Sequence, residues 1–244
     1  MAMGPDYRTV SRTGAEVAGI DAGLRQYMLR IYNYMAGGVA LTGIVAYVFS
    51  NMVMNSPELA TAVYGSPIKW VIIFAPLGFA LLFGMRIQTM AASTAQMLFW
   101  AFAAIMGLSM ASIFLLYTQE SIARTFFISA GMFGAMSLYG YTTKRDLTGW
   151  GSFLFMGVIG LILASIVNIF MGSSALGFAI SVIGVLVFTG LTAYDTQKIK
   201  EMYSEYDEGG TMTKKAILGA FNLYLDFINL FVMLLRLTGT VRSN

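Results

Sequence analysis

The 244-residue sequence contains no histidine and no cysteine. Without them no Ser-His-Asp or Cys-His nucleophile can be assembled. A His/Cys zinc site, a thiolate cluster and a disulfide are excluded for the same reason. Site chemistry is left to Asp, Glu, Lys, Arg and Tyr. Charge is scarce too, at 11% of residues against 57% hydrophobic. A soluble domain averages about 25% charged and about 45–50% apolar. With a mean hydropathy of +0.72, the composition is that of a membrane protein. The net charge of +3 is spread over loops rather than gathered in a patch, which argues against a nucleic-acid partner.

A bilayer core of about 30 Å needs roughly 20 apolar residues per helix. Stretches free of charge run over residues 31–57, 70–85, 87–119, 125–143 and 147–194, and the stretch 216–235 is interrupted only by Asp226. The longest holds two spans, divided at the turn signal Met171-Gly172-Ser173-Ser174. The pattern predicts seven helices near 31–53, 68–86, 94–117, 122–142, 150–171, 175–197 and 216–237. The second is the weakest, being short and carrying Pro76. Strands of a barrel would alternate in short segments instead. The predicted class is therefore an all-α integral membrane protein with one seven-helix domain over 31–238. Residues 1–30 are polar and rich in Gly and Thr. They read as a flexible cytoplasmic tail with a short amphipathic lead-in, and no secretory signal is expected there. Residues 239–244 form a short C-terminal tail.

Lys and Arg set the orientation. With the N-terminus inside, eleven of the fifteen basic residues fall on the inner side and four on the outer. The expectation is a multi-pass protein of the plasma membrane, N-terminus in the cytoplasm and C-terminus outside.

Ionisable groups within spans are costly and mark candidate sites. Asp226 lies ten residues beyond Ala216, about 15 Å along a helix and so near the midplane. Lys215, Gly219, Asn222, Asp226, Asn229, Met233 and Arg236 follow at steps of three or four, one polar stripe on an otherwise apolar seventh helix. Such a helix belongs inside a bundle. The bland alternative is a hydrogen-bonded packing face. Asp195 ends the sixth span, with Thr192 one turn earlier on the same face. It would reach the depth of Asp226 if the sixth helix continues a few turns further. The bland alternative is an interfacial aspartate paired with Lys198. Two carboxylates in one low-dielectric site cannot both ionise without cost, so the pair would share a proton and titrate as a unit. Arg86, ending the second span, is the candidate counter-charge, or else a topogenic arginine that snorkels to the interface. Small-residue steps at Gly160/Ala164 and Ala130/Gly134 suggest close helix approach. The acidic cluster Glu201, Glu205, Asp207 and Glu208 lacks the spacing of a calcium loop and reads as a solvated face.

Four stretches together carry a family likeness: residues 34–47 (YMAGGVALTGIVAY), 139–149 (YGYTTKRDLTG), 188–197 (FTGLTAYDTQ) and 223–231 (LYLDFINLF). They resemble the Bax inhibitor (transmembrane Bax-inhibitor-motif) family in its bacterial branch. The resemblance implies a seven-helix bundle with the seventh helix central. It also implies a pH-sensitive calcium leak gated by the aspartate pair Asp195 and Asp226, with Arg86 as the arginine that holds the pair in the closed state. On their own spacing, Asn222 and Asn229 of the polar stripe and Thr192 beside Asp195 are the expected pathway-lining residues. The two aspartates would be the calcium contacts in passage, and no cofactor is expected. The departure is a longer acidic loop over 204–210. Some bacterial relatives are linked instead to modulating a membrane-embedded ATP-dependent protease, which makes an interaction protein the alternative reading. An intramembrane aspartyl protease is disfavoured. Leu223-Tyr224-Leu225 precedes Asp226 where that class has Gly-x-Gly, and no proline lies near the last span. A retinal-type receptor is excluded because the seventh span holds no buried lysine.

Overall fold

The computed structural model describes the backbone of residues 7–242 and the side chains of residues 22–242. Among them are eight helices: α1 (Tyr7–Asn55), α2 (Pro57–Tyr64), α3 (Ile68–Arg86), α4 (Ala92–Leu116), α5 (Gln119–Thr142), α6 (Thr148–Met171), α7 (Ser174–Glu201) and α8 (Gly209–Thr238). All but α2 are long and apolar enough to cross a membrane.

The boundaries have local causes. Ser56 caps α2, accepting a hydrogen bond from Leu59 N, with Pro57 in its first turn. Thr118 and Ser173 cap α5 and α7 in the same way. The break between α6 and α7 falls where the turn signal predicts it. Gly172 adopts φ 60° and its N–H closes on the Asn168 carbonyl at 2.8 Å, a left-handed cap that glycine enters without a Cβ penalty. Pro76 lies inside α3 without ending it.

Two boundaries differ from expectation. The short helix α2 fills what reads as a loop. The part of the expected 1–30 tail that is described, residues 7–30, is helical and runs into the first span without interruption. No proline or adjacent glycine pair falls between Tyr7 and Asn33 to break it. Residues 1–6 lie outside the described chain, as do 243 and 244 of the expected C-terminal tail. Its described part lies against the α4–α5 turn: Thr118 N donates to the Thr240 carbonyl at 3.0 Å and Arg242 N to the Leu116 carbonyl at 2.9 Å.

The last helix is the central one. Of its apolar stretch 67% is buried, against 11–33% for the other six spans. It packs on α1, α4, α5 and α7, while α6 leans on α7 and α3 on α4 at the periphery. An aromatic cluster binds this core. The Phe221 ring on α8 sits 4.8 Å from Phe83 of α3 and 4.9 Å from Phe102 of α4. Beside it Tyr224, fully buried, shares a 2.6 Å hydrogen bond with Thr42 of α1, whose hydroxyl donates to the Ala103 carbonyl at 2.8 Å. The outward faces of α3 and α6 carry exposed Leu, Ile and Phe, as lipid contact requires.

Candidate functional site

Asp226 stands near the middle of α8 and is buried, with 5% of its surface exposed. Asp195 stands on α7, which continues past it to Glu201. The antiparallel packing of α7 on α8 brings the two carboxyl groups side by side, within reach of one hydrogen bond if one proton lies between them. The register is held on the basic side of the bundle. There Lys215 Nζ donates to the Met202 carbonyl at 3.0 Å and pairs with Asp207 at 2.7 Å. Among the described residues no hydroxyl, amide or ammonium group donates to Asp226 Oδ2. The cation whose charge acts on Asp195 is Lys198, three residues along α7, and Lys198 Nζ also sits 5.8 Å from the Tyr194 ring centroid.

Other predicted site residues fall elsewhere. Arg86 is exposed at the end of α3 and makes no ion pair among the described residues. It is not the counter-charge of the pair in this structure. The reason is direction around the helix: Phe83 and Ile87 take the buried face, and Arg86 between them points outward. Thr192 is fully buried and donates to the Phe188 carbonyl at 2.8 Å, and Asn229 donates to the Leu225 carbonyl at 2.8 Å. Both satisfy their own helices. Asn222 is half-buried. Of the expected stripe, Lys215 turns to Asp207 and Arg236 is exposed, so the ends are solvated and only the middle faces the bundle.

A second polar feature escaped the sequence reading. Ser121, Thr125, Ser129 and Ser137 of α5 are all buried. Ser137 joins three helices, with Tyr32 OH of α1 at 2.6 Å and Thr196 Oγ1 of α7 at 3.0 Å. Thr196 donates its proton to the Thr192 carbonyl at 2.7 Å. Each hydroxyl carries one proton, so the chain runs from Tyr32 to Ser137 to Thr196 and ends on the Thr192 carbonyl. The missed signal is the step of four residues between hydroxyls, which puts them on one face. At the α5–α6 turn Gln197 of α7 accepts from Leu147 N and donates to the Arg145 carbonyl, both at 2.8 Å. In the same turn hydrogen bonds from the Thr148 side chain and backbone hold the Asp146 carboxyl below the usual carboxylate range.

No group of three or more acidic side chains able to hold a metal occurs among the described residues. Calcium takes about 6–8 oxygen ligands. Two carboxylates supply at most four oxygens, fewer than that number.

The chain matches the family described as inhibitor of apoptosis-promoting Bax1 over residues 24–243. It is 49% identical over 238 residues to a protein of Rickettsia prowazekii, covering 98% of this chain and 99% of that one. It is 48% identical over 224 residues to the inner membrane protein YbhL of Escherichia coli, covering 91% of this chain and 94% of that protein. A Caulobacter vibrioides protein is 48% identical over 233 residues, 92% of each chain.

Proposed function

This chain belongs to the Bax inhibitor family, and from that premise we propose that it is a pH-sensitive calcium leak of the bacterial inner membrane, gated by Asp195 and Asp226. The inner-membrane location is supported by the Escherichia coli relative YbhL, an inner membrane protein. The basic-side asymmetry supports a cytoplasmic N-terminus and an outer C-terminus. The observation that carries the reading is the meeting of two carboxyl groups at the α7–α8 interface, one of them buried and with an oxygen that lacks any other donor among the described residues.

A buried oxygen without a donor costs about 1–3 kcal/mol. One proton held between Asp195 and Asp226 removes that cost, leaves a single negative charge and ties the two helices. Losing the proton sets two like charges against each other in an apolar surround. The α7–α8 contact must then loosen, or a cation must enter beside the pair. Calcium supplies that charge, so protons and calcium compete for the same oxygens. Lys198 lowers the cost of the remaining charge on Asp195.

The test is calcium entry into dye-loaded liposomes holding the purified protein, read across pH. The wild type should show flux that changes with pH, and Asp195→Asn plus Asp226→Asn should remove that dependence. Flux insensitive to both pH and the double substitution would sink the gate.

A further inference from the structure

Beyond the aspartate pair, the surface between α1 and α5 carries an unassigned groove. Two cavities of about 460 and 550 Å³ lie end to end along it and share Phe133 in their walls. Here α1 packs on α4 and α8, and α5 on α7 and α8, so the two helices leave a furrow between them. Its deeper part is apolar, walled by Met35, Ala36 and Val39 of α1, Ala130 and Phe133 of α5, and floored by Phe227 of α8. Its mouth on the basic side differs, with Arg25, Tyr32, Ser137 and Tyr141. Arg25 is the cation of that mouth, while Lys200 Nζ behind Tyr141 donates to the Tyr141 carbonyl at 2.9 Å. Among the described residues no acidic side chain lines the mouth.

We propose that this groove binds one acyl chain of an anionic phospholipid, with the headgroup phosphate at Arg25. Three observations select this occupant. The Tyr32–Ser137 hydrogen bond of 2.6 Å crosses between the two helices. A transmembrane helix, about 10–12 Å across, cannot settle to the floor there, whereas a hydrocarbon chain can. The lining holds positive charge at one end only and is apolar beyond it, the polarity of an anionic amphiphile. The length is sufficient: from Arg25 to Ile44 the lining spans nineteen residues, about 28 Å of helix rise, so a chain crossing half of the roughly 30 Å hydrocarbon core fits within it.

The experiment uses the purified full-length chain in detergent. Phosphatidylglycerol and phosphatidylcholine with identical acyl chains are titrated separately, and retention is read by native mass spectrometry. The wild type should retain phosphatidylglycerol about tenfold better, as a charged hydrogen bond of ordinary strength implies. Arg25→Gln should bring the two lipids towards equality. Gly134→Phe should lose both, because a side chain at Gly134 enters open space on the groove wall. Ala36→Phe fills the groove from the opposite helix and serves if the first variant does not fold. Equal retention of both lipids by the wild type would overturn the proposal. So would unchanged retention in a folded groove-filled variant, or a wild-type dimer that the groove-filling substitutions dissociate.

Discussion

The Asp195 carboxyl on α7 lies beside the Asp226 carboxyl on α8, and among the described residues no arginine forms an ion pair with either. An acid pair with one member buried and no cation between its members depends on a proton. An amide in place of one acid supplies a permanent donor and removes a charge. Asp226→Asn should therefore fold, with stability within about 1 kcal/mol of the wild type or above it, since replacing buried charge is often neutral or stabilising. Asp195→Ala leaves the buried Asp226 without its neighbour and should cost about 1–3 kcal/mol. Thermal unfolding in detergent at neutral pH distinguishes the two. A large loss in Asp226→Asn would show that the negative charge itself is structural.

Tyr224 and Thr42 give an asymmetric pair of substitutions. The Thr42 hydroxyl donates to the Ala103 carbonyl, so Tyr224 OH is the donor in their shared bond. Tyr224→Phe removes a donor and leaves Thr42 satisfied, for about 0.5–1.5 kcal/mol. Thr42→Val leaves a fully buried phenol without an acceptor and the Ala103 carbonyl without a donor. It should cost more, about 1–3 kcal/mol for each group stranded. Equal losses in the two variants, measured by chemical or thermal unfolding, would contradict this assignment of the protons.

The spans were legible because uncharged length is dictated by the bilayer, and each predicted helix overlaps an observed one. Asp226 was legible for the same reason, since a carboxylate inside such a run stands out. What could not be read was direction around a helix. Arg86 ends a charge-free run, which marks where α3 stops but not that Arg86 points outward between the buried Phe83 and Ile87. Small-residue spacing pointed to Gly160 and Gly134, yet a Cβ at either meets open space. Close approaches occur at other glycines, among them Gly140 and Gly151, whose added Cβ atoms would meet Ala193 and Tyr194 of α7. Only the tertiary packing selects which glycine faces a neighbour.

Gly140 and Gly134 accordingly predict opposite outcomes. A Cβ on Gly140 collides with the backbone carbonyl of Ala193, which no rotamer change can relieve. Gly140→Ala should force α5 away from α7 and cost about 1–3 kcal/mol, the usual penalty for overpacking. Gly134→Ala meets nothing and should be neutral or stabilising by up to about 1 kcal/mol from helix propensity. Parallel unfolding curves of the two variants in one detergent provide the check. A neutral Gly140→Ala would mean that the α5–α7 crossing is looser than its geometry.

Asp146 supplies the pH dependence outside the membrane. Its carboxylate accepts from Thr148 N at 2.8 Å, and the Thr148 hydrogen bonds hold it below the usual carboxylate range. A carboxyl whose folded value is depressed adds stability that is fully present above its unfolded value, about 3.9. That stability disappears as pH falls through the folded value, because the unfolded chain takes up the proton first. Asp146→Ala should thus unfold at a lower temperature than the wild type at neutral pH, by a small margin because the group is exposed. The gap should shrink steadily below about pH 4, as the ordinary carboxylate range is crossed. Unfolding midpoints of both proteins measured from pH 7 down to pH 3 test the sign. A gap that widened with acid would mean that the protonated form is the one held by Thr148.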